Sequence, residues 1–426
     1  MSDSAAATGP ALPPGRLVLV LVLALVAVLK APEFMGAFQP PDHLPGDFIQ
    51  DWVTARNVRV GAPPYEPIAE ALKRHPDVSF TPENLLAGNA HPPATIPLAL
   101  PFAWLAYPDA RLAWNVVTFA LFVGAVALVL RELGVRKADR PVLYAVPLAV
   151  VCAPLLFQLS LANYNCLLAA LLAGAWVADR RDKQWLAGGC IGVAAALKLF
   201  PAFLVVYFVA ARRWKALAGT VVAFLLLNGV ALAIVGVEPF RVYAREVAPA
   251  VSRDNESSWM NVSATGFWMR LFAPTESHHI EPLAVSPTAG RALAIASQVL
   301  MAALAFHAAR RRDSIFARDR GFAVATAGML LASPITWPSS FLLLLVPLGL
   351  LFNRLLGWWR VLLWVAVVYV WLPPNYAAAL AVGPQQANAM LTDAHAPLSA
   401  GQNLAVASLG VYAAVALFAL TWRVPE

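Results

Sequence analysis

Asp47 and Asp51 stand four residues apart in the polar stretch 45–56. That spacing puts both carboxylates on about the same side of the first turn of an expected helix over 48–60. Asp47 follows Pro45-Gly46 and suits an N-cap, and Gly61 suits a C-terminal stop. Two nearby carboxylates tend to raise one of the two pKa values, which fits a general base. The plainer alternative makes Asp47 only a cap and Asp51 only a solvated helix residue. Phe48, Trp52 and Ala55 form an adjacent apolar stripe, expected to rest on a membrane surface. His91 precedes Pro92-Pro93 at the start of an apolar segment, where an interface role competes with a catalytic one. Lys198 lies between two apolar arms, and a cation there is costly unless paired. It is a binding candidate, with a snorkelling lysine as the alternative. Gln158, Asn163 and Asn165 cluster at another turn, as donors to a polar ligand or as helix caps. Asn261 and Arg270 fall in a second polar loop. The adjacent His278-His279 pair has poor ligand geometry, so no metal is expected. No Walker A loop, dinucleotide fingerprint or nucleophile elbow occurs.

The elements that must position these residues are membrane helices. The chain of 426 residues is 60% hydrophobic and only 13% charged, against about 25% charged in soluble domains. Its mean hydropathy is +0.66. A soluble enzyme, a disordered chain and a disulfide scaffold are excluded, the last because Cys152, Cys166 and Cys190 all lie in apolar runs. Apolar segments fall at 17–29, 94–107, 109–130, 141–157, 163–178, 185–197, 200–212, 214–236, 289–309, 319–334, 338–353, 359–376 and 402–422. The first is read as a retained anchor, with a signal peptide as the competing reading. Pro201 and Pro334 predict that two long apolar stretches break into short hairpins. Basic clusters at 131–140, 179–183, 212–215, 310–320, 354–360 and 423 mark cytoplasmic loops. Alternation then requires both hairpins, and requires that 94–107 does not cross. The expectation is an all-α polytopic protein of about 12 transmembrane helices, forming a single domain over 1–426. Both termini are cytoplasmic, and residues 1–15 form a tail. The loops 32–93 and 237–287 are extracytoplasmic, as are the turns at 158–165, 198–200 and 333–337, which together could line one outer cavity. On this topology the cytoplasmic segments hold 19 Lys+Arg against 8 Asp+Glu, so the net +7 is an orientation signal. Nucleic acid is not an expected partner.

Taken in order, several of these residues resemble glycosyltransferase family 87, polyprenol-phosphate-dependent members of the GT-C clan. Asp47-Phe48, Ala55-Arg56, Gly61 and Pro64-Tyr65 fit the family's first outer-loop pattern. His91-Pro92-Pro93 fits its aromatic-Pro-Pro entry, and Gly188, Gly192, Lys198 and Pro201 fit a Gly-x3-Gly…Lys-x-x-Pro hairpin. Asn163-Tyr164-Asn165 falls where the family usually has Gly-Gln-x-Asn and keeps only the last Asn. Asn261-x-Ser263 with Arg270-Leu271 fits the second loop, and Ser333-Pro334-x-x-Trp337 fits a late Ser-Pro-x-Ser-Trp motif. Ser339 and Ser340 stand where histidines often follow that motif.

The resemblance implies a GT-C-like fold and a hexosyltransferase of the cell envelope. The donor sugar would be carried on a polyprenyl phosphate, with mannose favoured, and transfer would usually invert the anomeric carbon. It points to Asp47 as catalytic carboxylate, with Asp51 as the other candidate. Lys198 is then the expected cation for the leaving phosphate, with Arg270 and His91 behind it. Asn165, Asn261 and Trp337 complete the expected donor site. No cofactor is expected, because the donor is itself a lipid-linked sugar phosphate. The expected partners are membrane lipids, that donor, and a glycolipid or glycan acceptor at the plasma membrane. A transporter or lipid flippase is the alternative, since broken helices and intramembrane charges occur there too.

Overall fold

The computed structural model describes residues 14–38, 46–75, 88–135, 142–274, 280–385, 387 and 398–424. Every regular element among them is helical, apart from an isolated bridge between Ile280 and Leu398. Four helices are long and apolar enough to cross a membrane: Leu17–Phe38, Tyr107–Glu132, Trp214–Val235 and Pro287–Ala309. Two further segments are bent pairs, Tyr144–Val150 with Ala153–Leu161 at 56° and Ala400–Ala407 with Leu409–Trp422 at 42°. Asn165–Arg180, Gln184–Leu197, Leu345–Arg354 and Gly357–Trp371 are shorter. The chain is a multi-pass helical membrane protein, and one apolar core runs through it from Phe48 to Val424.

The proline breaks fall where the sequence places them. The Gln184–Leu197 helix stops at Lys198, and the chain resumes as a 3-10 turn over Phe200–Leu204 before Val205–Ala210. Arg213, just past the hairpin, then meets Asp182, just before it, and also Asp179 of the preceding helix at 3.0 Å. Ile315–Ala332 likewise ends before Pro334, a 3-10 segment follows over Pro338–Leu344, and the Arg354 guanidinium ends over the Phe316 ring. A straight helix through either proline would lose a backbone hydrogen bond and clash one turn back. Residues 94–107 also form no continuous span. Pro93, Pro97 and Pro101 divide them into one-turn pieces, Pro93–Thr95, Ile96–Ala99 and Leu100–Trp104.

Two expectations change. The first helix runs from Pro14 to Phe38 and passes through Pro32 instead of ending near 29. Its far end is held by Phe34 and Phe38, both edge-on to Phe119. The Phe48–Arg59 helix does not rest on a membrane surface. Phe48, Trp52 and Ala55 are fully buried, Phe48 stacking on Trp114 at 5.1 Å and Trp52 meeting Tyr107 edge-on. The broken 93–104 segment covers this helix, and burial of two large aromatic side chains outweighs an interfacial placement.

The second loop is ordered where described. It holds Glu238–Val242, a π-turn over Tyr243–Val247, Ala248–Asn255 and Ala264–Phe272. His278-His279 lies outside the described residues.

Candidate active site

The site is built on the first turn of the Phe48–Arg59 helix. Gly46 precedes it at φ +66°, and a Cβ there would press on Arg111 and on the Leu161 carbonyl. Glycine therefore lets the chain pass close enough for the Asp47 amide to donate to Leu161 at 2.7 Å. Asp47 occupies the cap position but has helical angles and makes no capping bond with its side chain. Its Oδ2 instead accepts from the Asn163 amide. Asn163 Oδ1 in turn accepts from Lys198 Nζ at 2.8 Å and from the Tyr164 backbone amide at 2.6 Å. Lys198 is the residue at which the Gln184–Leu197 helix ends, so three distant segments meet at one amide.

Asp51, one turn on, is not solvated. It is 1% exposed and both its oxygens are engaged, by His91 Nδ1 and by Thr95 Oγ1, each at 2.9 Å. The His91 segment is latched to the same helix. Asn89 donates to Thr54 Oγ1 at 2.8 Å, the Ala90 amide donates to Gln50 Oε1 at 2.8 Å, and Tyr65 donates to the His91 carbonyl at 2.6 Å. With Nδ1 held by a carboxylate, Nε2 is the ring nitrogen left for other chemistry. The His91 ring also meets Tyr164 edge-on at 5.1 Å.

Burial raises the Asp47 pKa above the ordinary carboxylate value; His91, Lys198 and the Asn163 bond oppose the rise, and Asp51 adds to it. Burial lowers the Lys198 ammonium below its ordinary value, against the pull of both aspartates. The Asp47 carboxylate is thus made more basic and the Lys198 ammonium less firmly protonated.

Gln158 and Asn165 form the floor. Gln158 donates to the Asn163 carbonyl and accepts from the Asn165 amide at 3.1 Å. Asn165 Nδ2 donates to Ser339 Oγ at 3.0 Å, while its Oδ1 is buried without a protein partner. The turns at 158–165 and 198–200 and the start of Pro338–Leu344 are therefore brought together. Thr95, Tyr164 and Ser339 join the cluster without having been singled out as site residues. The only signal for Thr95 was its place four residues after His91, with the Pro92-Pro93 turn between them.

Arg270 and Asn261 are not brought to this cluster. The Arg270 guanidinium is fully buried, donating to the carbonyls of Ser258 at 2.9 Å and Asn261 at 2.8 Å and to Asn403 Oδ1 at 3.2 Å. Asn261 accepts from the Ser263 and Thr336 amides and donates to the Pro334 carbonyl at 3.0 Å. Both therefore act as clamps. Arg270 ties the second loop to the C-terminal helix pair, and Asn261 ties it to the turn before Trp337. The expected donor contacts are corrected accordingly, because these polar atoms are spent on the protein itself. Trp337 is half-buried at the start of Pro338–Leu344, two residues before Ser339.

A multi-pass helical protein with a carboxylate, an amine and an imidazole gathered at one end of its bundle is the class defined so far. Comparison with known sequences places it further. The profile of glycosyltransferase family 87 matches residues 89–334, and the chain belongs to that family. A polyprenol-phosphate-mannose-dependent alpha-(1-2)-phosphatidylinositol pentamannoside mannosyltransferase of Mycobacterium tuberculosis is 31% identical over 302 residues, covering 66% of this chain and 64% of that protein. The protein of the same description from Mycolicibacterium smegmatis is 26% identical, covering 66% of this chain and 67% of its own. A phosphatidylinositol mannoside mannosyltransferase of Mycobacterium tuberculosis, also polyprenol-phosphate-mannose-dependent, is 28% identical over 34% of this chain and 36% of its own. No solved structure matches the chain significantly.

Proposed function

We propose that the protein transfers a hexose, mannose in first place, from a polyprenyl-phosphate donor to a hydroxyl of a lipid or glycan acceptor at the outer face of the plasma membrane. The observation that carries this reading is the pairing of Asp47 with Lys198 across Asn163. Asp47 keeps partial exposure, and its Oδ1 has no partner among the described residues. Asp51 has both oxygens committed and is closed off. Asp47 is therefore the base that takes the acceptor proton, and Asp51 holds His91.

In the reaction, the acceptor oxygen forms a bond to the anomeric carbon as its proton passes to Asp47. The bond from that carbon to the donor phosphate breaks on the opposite face, giving inversion. The leaving polyprenyl phosphate gains charge, and a cation fixed nearby stabilises the transition state. Lys198 fills that role, and His91 adds a second donor, Nε2–H, when its ring carries both protons. Because the leaving group is already a phosphate ester, the chemistry requires no metal. An apolar cavity of about 590 Å³, lined by Phe119, Leu155 and Leu342 among others, suits lipid-linked substrates. The names of the relatives support mannose and a phosphatidylinositol mannoside-like acceptor.

The test is transfer from radiolabelled polyprenyl-phosphate mannose in membranes, wild type against Asp47→Asn. A positioned base is worth roughly 10²–10⁴ in rate, so the variant should lose at least that range while keeping its fold. Full activity in Asp47→Asn removes Asp47 from the mechanism. Solute uptake without transfer by the wild type favours the transporter.

A further inference from the structure

We propose that Asn163 is a positioning residue whose amide keeps the base and the cation of the site linked but apart. The inference rests on the reading of Asp47 as base and Lys198 as phosphate cation. Two oppositely charged side chains in one poorly solvated site attract strongly, and their default is a direct ion pair. A direct pair would spoil both functions. Asp47 would become a weaker base, and Lys198 would have to leave a carboxylate before it could meet a phosphate.

The amide prevents this by geometry. Asn163 Oδ1 faces two donors, Lys198 Nζ and the Tyr164 backbone amide, so the orientation of the side chain is not open to an O/N exchange. The NH2 group must then face Asp47, as it does. The backbone of Asn163 is held as well, its carbonyl accepting from Gln158 and its amide donating to the Gln158 carbonyl. A rigid neutral dipole thus stands between the charges, donating to the negative one and accepting from the positive one. It stabilises both ionised forms without letting them neutralise each other. The remaining charged and titratable groups facing Asp47 are Asp51 on its own helix, His91 on the latched segment, and Arg111 and Tyr107 on the Tyr107–Glu132 helix.

The experiment uses the full-length protein in lipid nanodiscs with three variants, Asn163→Leu, Asn163→Asp and Asn163→Gln. Two readouts are taken on the folded, monodisperse fraction. One is the pH profile of transfer from polyprenyl-phosphate mannose. The other is the pH dependence of carbodiimide modification at Asp47, read by mass spectrometry, which needs no activity. Asn163→Leu removes the spacer, so Lys198 closes on Asp47. Its kcat should fall about ten- to hundredfold with donor KM changed less, and both the acid limb and the labelling curve should move down by about one pH unit or more. Asn163→Asp places a like charge beside Asp47 and should move both curves up. Asn163→Gln keeps an amide and should restore most of the activity with curves close to wild type. A merely structural role would not shift the two charged and apolar variants in opposite directions. Unchanged labelling curves in both Asn163→Leu and Asn163→Asp overturn the proposal. If the wild type shows no transfer but the labelling curves shift as stated, the spacer stands and the transferase reading fails.

Discussion

Two carboxylates four residues apart end in unlike surroundings, and the roles proposed for them rest on that difference. Asp51 is enclosed and accepts from His91 and Thr95, whereas Asp47 is held by one amide and remains partly accessible. The shifts at the site give a pH prediction. Burial raises Asp47, so the base becomes protonated, and activity falls, at a pH above that of an ordinary carboxylate. Burial lowers Lys198, so the cation is lost below the pH of an ordinary lysine. The kcat/KM profile should therefore be a bell whose limbs are drawn in from both sides. Lys198→Met should abolish the alkaline limb that Lys198 sets. An alkaline limb that persists in Lys198→Met assigns it to another group. Ala162 adopts φ +53°, in the left-handed region that turns the chain toward Asn163.

Lys198 reaches the site because the helix carrying it is packed closely on its neighbour. A Cβ at Gly188 would land on the Ala216 carbonyl, and one at Gly192 on the Thr220 carbonyl. The Gly-x3-Gly face thus lets the Gln184–Leu197 and Trp214–Val235 helices approach backbone to backbone. Gly192→Val should push these helices apart at a cost of about 1–3 kcal/mol. It should also displace Lys198, lowering the thermal midpoint by fluorescence-detected size exclusion and raising donor KM. Gly189→Val is the control, because a Cβ there meets no heavy atom within 4 Å. Equal behaviour of the two variants argues against this packing role. The hairpin was legible from Pro201, and its close approach from the glycine spacing. The clamp made by Arg270 was not, because its partner Asn403 lies 133 residues away in the chain.

Over the whole molecule, charge separates along the bundle. Arg181 meets Glu132 at 2.7 Å, Arg213 meets Asp179 and Asp182, and Trp176 donates to Asp319 at 2.8 Å. The basic loops at 131–135, 179–183, 212–215 and 310–320 thus gather at one end, and the Asp47 cluster lies away from them. The predicted orientation puts the basic end in the cytoplasm. Val60→Cys and Arg181→Cys, each in a background without native cysteines, should react with a membrane-impermeant maleimide from opposite sides of the membrane. Labelling of both from one side overturns that topology.

The sequence by itself determined the helical membrane class, the proline breaks, the basic end and the neighbourhood of the candidate site. Those properties are local: hydropathy, the missing proline N–H and the spacing of charges act over a turn or a loop. The unlike surroundings of Asp47 and Asp51, the Asn163 link to Lys198, and the placing of Arg270 and Asn261 away from that cluster were decided by tertiary structure. Each depends on which distant segment supplies a hydrogen-bond partner, and a buried polar group must be satisfied wherever the fold brings a partner within reach.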